Sequence, residues 1–348
     1  MRDLELLTRL VHRGRLTKAD AQALVPELRA GGALVDLLVE RLGWGSDEAA
    51  REVRTRGGEL LELPGYLIKE RIGTGGTADV FLAREKKTGR TLALKVLKPE
   101  ATRHELTRKA FIGEARLLER LDHAGLIKCS GIARSGNTFF SRLEYVEGST
   151  LLELLDRGRR FGEEEALSIV LQVAETLRHL ESEGVVHRDV KPGNVMLARD
   201  GRVVLIDLGF AAEEGQRTDA DGAVGTVAYL SPEQARGGAA ADIRSDIYSL
   251  GISLFHLTLG KLPFDSSDDR ELLRMQVMDS LSSPELKSRG ISPHLHYIIE
   301  KMVAKEAADR YQDWAELIAD VRAQLAGRAG LDFSVPPKTD RPPRRGRR

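Results

Sequence analysis

Between the apolar pairs Val185–Val186 and Val195–Met196 the chain places His187, Arg188, Asp189, Lys191 and Asn194. Apolar β-branched runs of this kind go to a core, and a core tolerates charge only where it is paired or put to use. Any fold for this chain must therefore carry a crowded polar loop between two buried segments. A second apolar run, "VVLIDLGFA", ends in Asp207 with Gly209 just after it. An aspartate closing a buried strand points to a cation ligand. A hard magnesium ion takes one or two carboxylates and fills its remaining positions with substrate phosphate and water. Asn194 is placed to add an oxygen to the same ion, leaving Asp189 free to orient a hydroxyl nucleophile.

Upstream lie two further signals. "GTGGTADV", starting at Gly73, sits between two strand-like runs, and its bare N–H groups can fold over phosphate oxygens. Any glycine hairpin reads alike, so this signal is weak alone. In "LALKVL", Lys95 interrupts an apolar run. An inward lysine needs a counter-charge, and Glu114 in the helical stretch "FIGEARLLERL" is the natural partner. Either residue by itself would more often be a solvated surface charge.

Periodicity divides the chain. Residues 1–63 follow a helical period, with Leu4, Leu7, Leu10 and Val11 on one stripe, a glycine stop at Gly14, and a Thr17–Asp20 capping box. A second stripe runs through Leu34, Val35, Leu37, Leu38 and Leu42, and Ser46 with Asp47 and Glu48 starts another helix. "LVHRGRLTKADAQALV" and "LVERLGWGSDEAAREV" form a weak internal repeat. This region resembles the small helical domain at the N-terminus of type II secretion and pilus-assembly ATPases, on spacing and apolar pattern only. The alternative is a helical appendage that packs on the next domain. From Tyr66 the period becomes that of short strands, "YLIKERIG", "DVFLARE" and "TLALKVLK", then a helix from about Glu105 to Leu121, then "GLIKCSGIA" and "TFFSRLEYV". After Gly148 the pattern is mainly helical. The tail "SVPPKTDRPPRRGRR" lacks the apolar content to fold, and reads as disordered. Its arginines suit an anionic lipid, RNA or an acidic partner, or serve only solubility.

"HRDVKPGN", "DLG", "GTVAYLSPEQ" and "SDIYSLGISLFHLTLGKLPF" follow one another in the order and spacing of the eukaryotic-like protein kinases, and the bacterial serine/threonine kinases look closest. The resemblance spans about Tyr66 to Leu325. It implies an α+β, bilobal protein kinase fold, with a small β-rich N-lobe (64–147) and a larger α-helical C-lobe (148–327). A small all-α domain (1–63) precedes it and a basic tail (328–348) follows. It implies ATP between the lobes, held with Mg2+, and protein substrates.

The resemblance also assigns roles. Ile72, Gly73, Gly75 and Gly76 would cover the nucleotide. Val80, Ala93 and Leu197 would sandwich adenine, with Leu143 behind, and Glu144 and Val146 would offer backbone hydrogen bonds at the hinge. Lys95, paired with Glu114, would hold the α- and β-phosphates. Asp189 would take or orient the hydroxyl proton, Lys191 would steady the γ-phosphate, and Asn194 and Asp207 would hold magnesium. His187 would be scaffold. Arg188 would seek an anion in the activation segment, with Thr218 as the phosphosite; Glu213, Glu214, Asp219 or Asp221 are the unmodified alternatives. Thr226 would line the acceptor site, and with Lys191 points to serine/threonine specificity. Glu233 would pair with Arg310, and Asp246 would support the catalytic loop. Two departures stand out. Ala78 replaces the third loop glycine, and its Cβ is expected to hinder approach to the phosphates slightly. Leu208 replaces the usual phenylalanine of the magnesium motif.

Composition sets the remaining bounds. Formal net charge is +0 over 348 residues, so no global field favours nucleic acid. The only cysteine, Cys129, cannot form an internal disulfide, which fits a reducing, cytoplasmic setting. It is expected to be a buried structural thiol. No apolar run is long enough to span a membrane. The principal expectation is an active protein serine/threonine kinase. The alternatives are a pseudokinase scaffold, or an adaptor acting through its N-terminal helices, and a protein partner for those helices is expected on either reading.

Overall fold

A computed structural model describes residues 4, 7–8, 10–11, 15–29, 32–46, 49, 63–209, 212–213, 227–237, 241–281 and 291–327. Thr218, Thr226, Glu214, Asp219, Asp221, Asp47, Glu48 and the tail from 328 lie outside them. The described residues form two compact units, one within Met1–Asp122 and Ile127–Glu147, the other within His123–Leu126 and Gly148–Arg348.

The first unit opens with helices that share a core of their own. Leu7, Leu10, Leu16, Leu24, Leu34, Leu37, Leu38 and Ala49 are buried together, and Trp44 packs on them. Helix α1 (Lys18–Arg29) begins at the expected box, since Thr17 Oγ1 accepts from the Asp20 N–H and Asp20 Oδ2 accepts from Thr17. Helix α2 (Leu34–Leu42) ends at Gly43, whose φ of 65° lets the chain turn left-handed. The internal repeat is visible in the turns. Leu16 N–H donates to Leu10 O at 3.3 Å and Trp44 N–H to Leu38 O at 3.1 Å, the same spacing at equivalent positions.

Five antiparallel strands follow: β1 (Tyr66–Thr74), β2 (Ala78–Glu85), β3 (Thr91–Leu97), β4 (Cys129–Ser135) and β5 (Thr138–Glu144), in the order β1-β2-β3-β5-β4. Helices α3 (Pro99–Arg103) and α4 (Glu105–Arg120) connect β3 to β4. One sheet face buries Ile68, Ala83, Leu94, Val96 and Phe140 with Leu63. Alternation puts Val80, Ala93 and Lys95 on the other face. At the end of that face Ala78 and Leu97 meet Ala101 and Phe111 in a second cluster, which docks α4. The Ala78 methyl is thus buried in packing, at 5% exposure, and the expected hindrance over the phosphates does not arise from it. Cys129 also departs from expectation. It starts β4 half-buried, because a register shift between Cys129 and Ile132 tilts this end of the strand. Burial still raises its thiol pKa, which keeps it protonated.

The second unit is mainly helical, with small sheets the sequence pattern did not resolve. Strand β6 (Gly148–Thr150) leads into α5 (Leu151–Asp156), capped by a Thr150–Glu153 box, and then α6 (Glu163–Ser182). Strand β7 (Val185–Val186) precedes the polar loop. Strands β8 (Val195–Ala198) and β9 (Val203–Leu205) join β6 in a sheet ordered β6-β8-β9, and β10 (Ala212–Glu213) pairs with β7. These strands are only two to four residues long, too short for periodicity to register. Helices α7 (Pro232–Ala235), α8 (Ile243–Leu259), α9 (Asp269–Met278), α10 (Pro293–Met302) and α11 (Trp314–Leu325) follow among the described residues. Helix α8 is buried on nearly all sides, so it serves as the unit's central post. No helix among the described residues is long and apolar enough to cross a membrane.

Candidate active site

In the first unit the site residues are assembled by strand register. Val80 lies opposite Gly73 on one side and Lys95 on the other, and Lys95 lies opposite Ser141. Two residues along, Ala93 lies between Leu82 and Leu143. Directly opposed residues share a face, so Gly73, Val80, Ala93, Lys95 and Leu143 lie on one side of the sheet. Ile72 falls in a bulge between the Arg71 and Gly73 pairings and is 42% exposed. Gly75 and Gly76 lie between β1 and β2, and Gly75 N–H donates to Ala78 O at 2.8 Å. The sequence reading missed what steadies this turn. Lys98 Nζ donates to the Gly75 carbonyl, and Thr74 Oγ1 donates to Asp79 Oδ1.

Helix α4 explains the ion pair. Phe111 anchors the helix against Ala78 and Leu97, and Glu114 stands one turn on, along the same helix face. It meets Lys95, which shares its strand face with Leu97. Lys95 Nζ lies 2.6 Å from Glu114 Oε1 and 2.8 Å from Oε2. Glu144 closes β5, and its N–H donates to Lys128 O at 2.8 Å; Val146 beyond it is buried.

In the second unit the polar loop hangs from Asp246 on α8. Asp246 Oδ2 accepts the His187 N–H at 2.8 Å and Oδ1 the Arg188 N–H at 2.7 Å. Burial pushes the Asp246 carboxyl up, to about 7, against these two bonds. Arg188 has φ 66°, an uncommon left-handed setting for a residue with a side chain. Its carbonyl accepts from Gln234 Nε2 at 3.0 Å, so backbone contacts on both sides hold the strained residue. Burial lowers the pKa of its guanidinium. Burial also pushes His187 down to about 4. The ring is therefore neutral at pH 7, and its Nδ1 accepts the Asp189 N–H at 3.2 Å. That is a scaffold role, as the resemblance implied.

Asp189 is 7% exposed, and burial raises its carboxyl pKa. The sequence reading left this carboxylate free. In the structure Lys191 Nζ lies 3.0 Å from Oδ1 and 2.7 Å from Oδ2, and Asn194 Nδ2 donates to Oδ2 at 2.9 Å and to the Asp189 carbonyl at 2.8 Å. A buried carboxylate takes whatever donors are nearest, and these two lie in its own loop. The amide's Nδ2 is spent there, which leaves Asn194 Oδ1 as the atom for a cation. Ile206 N–H donates to Asn194 O at 2.9 Å, which draws Asp207 beside Asn194. Asp207 Oδ1 accepts the Gly209 N–H at 2.8 Å. Leu208, 1% exposed, fills its apolar slot. Leu197 is half-buried in β8, opposite Ser149 and Val203.

The supporting pair also forms. Arg310 donates to both oxygens of Glu233 at 2.8 Å. Gln234 was missed as a functional residue, although Ser-x-x-Gln in "SPEQ" is a capping-box signal, and the box is present at Ser231.

Residues 66–320 match the family described as the protein kinase domain. The chain is 33% identical over 260 residues to the serine/threonine-protein kinase PrkC of Bacillus subtilis, covering 74% of this chain and 40% of that protein. It is 33% identical over 263 residues to the serine/threonine-protein kinase PknB of Mycobacterium leprae, covering 74% and 42%. A probable serine/threonine-protein kinase of Streptomyces coelicolor is 33% identical over 273 residues, covering 75% and 40%. The chain thus spans about two-fifths of the length of these curated relatives.

Proposed function

The chain belongs to the protein kinase family, and on that premise we propose that it transfers the γ-phosphate of ATP to serine and threonine hydroxyls of proteins, itself included. The observation that carries this reading is the loop from His187 to Asn194. A buried carboxylate, an ammonium and a carboxamide meet there, with a second carboxylate drawn alongside through Ile206. Phosphoryl transfer needs positioning and charge neutralisation more than covalent help. Asp189 orients the acceptor hydroxyl and takes its proton. Lys191, now on Asp189, moves to the γ-phosphate once ATP is bound. Lys95, held by Glu114, neutralises the α- and β-phosphates, and Gly73, Gly75 and Gly76 offer backbone N–H groups. Val80, Ala93, Leu143 and Leu197 supply apolar contact for adenine, and Glu144 and Val146 its backbone partners, with Ile72 at the rim.

Asp207 and Asn194 are hard oxygen donors and suit Mg2+. Among the described residues there is no cluster of three or more histidine, cysteine or acidic side chains that could hold a metal ion, and these two residues would hold Mg2+ together with the substrate. When bound, the ion would neutralise charge on the phosphates.

Phosphorylation of Thr218, read by Arg188, is the proposed switch, and Thr226 lines the acceptor site. Residues 1–63 form a docking or sensory module for a protein partner, 64–147 and 148–327 the two kinase lobes, and 328–348 a basic appendage. The protein acts in the cytoplasm in signal transduction.

The test is transfer from labelled ATP, with and without Mg2+, to the protein itself and to a basic acceptor, with Asp189→Asn alongside. Losing the base is expected to lower the rate by about 10²–10⁴. Equal transfer by the variant sinks the assignment, and ATP binding without transfer by either form returns the weight to a scaffold.

A further inference from the structure

Segment 227–231 leads into helix α7, whose Gln234 bonds the carbonyl of Arg188, the residue before Asp189. On the kinase reading, the acceptor chain whose hydroxyl meets Asp189 runs along this segment. Its backbone is held from outside by two buried side chains. Ser249 on α8 donates to Tyr229 O at 2.8 Å. Gln276 on α9 donates through Nε2 to Ala228 O at 2.6 Å. Gln276 is 0% exposed, an unusual place for a glutamine on an otherwise amphipathic surface helix.

Gln276 is itself fixed at its other end. Its Oε1 accepts the Tyr248 hydroxyl at 2.7 Å, and that hydroxyl accepts from Lys305 Nζ at 3.1 Å. Lys305 also donates to Gln276 O at 2.7 Å and Met275 O at 3.3 Å, so it grips the α9 backbone as well. Tyr248 in turn lies under the Arg310 guanidinium, 4.9 Å from its ring centroid. The result is one polar chain, Lys305–Tyr248–Gln276–Ala228 O, inside an apolar wall. A buried chain of this kind rigidifies whatever it touches, provided each member is satisfied. Gln276 Nε2 also lies 3.5 Å from Val227 O, so one buried amide serves two successive carbonyls of the segment.

We infer that Gln276 is a positioning residue for the protein acceptor: it sets the height of the Val227–Tyr229 backbone and so the fit of the chain flanking the phosphorylated hydroxyl. This rests on the kinase reading above. It places acceptor specificity partly on α9, whose Leu272 and Gln276 face inward while Met278 is 68% exposed at its end. Substrates that press on α9 then act on the acceptor segment through Gln276. ATP handling, which uses other residues, is independent of it.

The experiment is steady-state kinetics of the full chain with myelin basic protein as acceptor, with ATP hydrolysis in its absence as a second readout. Gln276→Met keeps the volume and removes both hydrogen bonds. Its acceptor KM is expected to rise about five- to tenfold, the scale of one lost buried hydrogen bond, with KM for ATP and acceptor-free hydrolysis unchanged. Tyr248→Phe deletes only the hydroxyl that orients Gln276, and is expected to raise acceptor KM by a smaller factor. It carries the test if Gln276→Met does not fold. Unchanged acceptor KM in the folded variants overturns the inference, as does a parallel loss of acceptor and ATP parameters. Wild-type protein that transfers no phosphate at all overturns the kinase reading, and the inference with it.

Discussion

Replacing Arg310 by methionine removes a buried cation of the second unit that makes five hydrogen bonds. Its side chain is 0% exposed, and it donates to both Glu233 oxygens, to Ala304 O and Arg244 O at 2.8 Å, and to Lys305 O at 3.0 Å. Burial works to raise the Glu233 carboxyl, but the Arg310 hydrogen bonds and charge, helped by the Ser245 hydroxyl, outweigh it and hold the group at about 2. Its ordinary value is 4.5, and the difference corresponds to about 3 kcal/mol. A depressed carboxyl stabilises the fold above its unfolded value, and that stability drains away as pH falls from 4.5 toward 2. Methionine leaves the carboxylate buried without its partner, a change that costs about 3–5 kcal/mol. For a unit of this size that is a fall in Tm of roughly 10 °C at pH 7. Scanning calorimetry of both proteins at pH 7 and pH 3.5 checks it. The gap should narrow by about 1 kcal/mol or more at the lower pH, since only the wild type loses this contribution there. Adding Glu233→Gln to the variant should recover part of the loss. A Tm within 2 °C of wild type at pH 7, or a gap that ignores pH, refutes the argument that this pair carries stability.

Three further outcomes follow from the geometry. Lys95→Met should cut phosphate transfer by about 10²–10³, since one preorganised donor is lost, and should also lower Tm, because the buried Glu114 carboxylate is left without its partner; transfer measured well below the melting range of both proteins separates the two effects. Asp246→Asn should leave one of the His187 and Arg188 N–H groups facing an amide donor, costing about 1–3 kcal/mol in denaturant unfolding and lowering kcat. Gly148→Ala should destabilise the β6–β8 pairing, because its Cβ would press on the Leu197 carbonyl oxygen and lie 2.8 Å from Ala198 Cα; a rise in KM for ATP should accompany the lower Tm, as Leu197 shifts.

The polar loop, the two carboxylates and the acceptor motif were legible as residues in order along the chain. So was the pair Lys95–Glu114, because a charge among apolar neighbours demands an opposite charge, whereas Glu233–Arg310 was legible only through the family resemblance. Helix α4 and the strands of the first unit were also readable, since each runs long enough for its period to show. The turns at Leu16 and Trp44 match the weak repeat read in the sequence. Of the short strands only β9 was readable, as the apolar run before Asp207; β6, β7, β8 and β10 were not, nor was the tilt that leaves Cys129 half-buried.

What the sequence by itself determined is the inventory: which groups must be used or paired, in what order, and on which kind of element. What only the tertiary structure decided is where each spare hydrogen bond goes. Asp189 looked free until Lys191 and Asn194 were seen on it. The Ala78 methyl looked obstructive until it was seen against Phe111. Gln276 was invisible, because an amide on a helix carries no charge to betray its burial. A neutral polar group is satisfied by whatever donor or acceptor packing brings within 3 Å, and packing across 48 residues of chain, from Gln276 to Ala228, leaves no local trace.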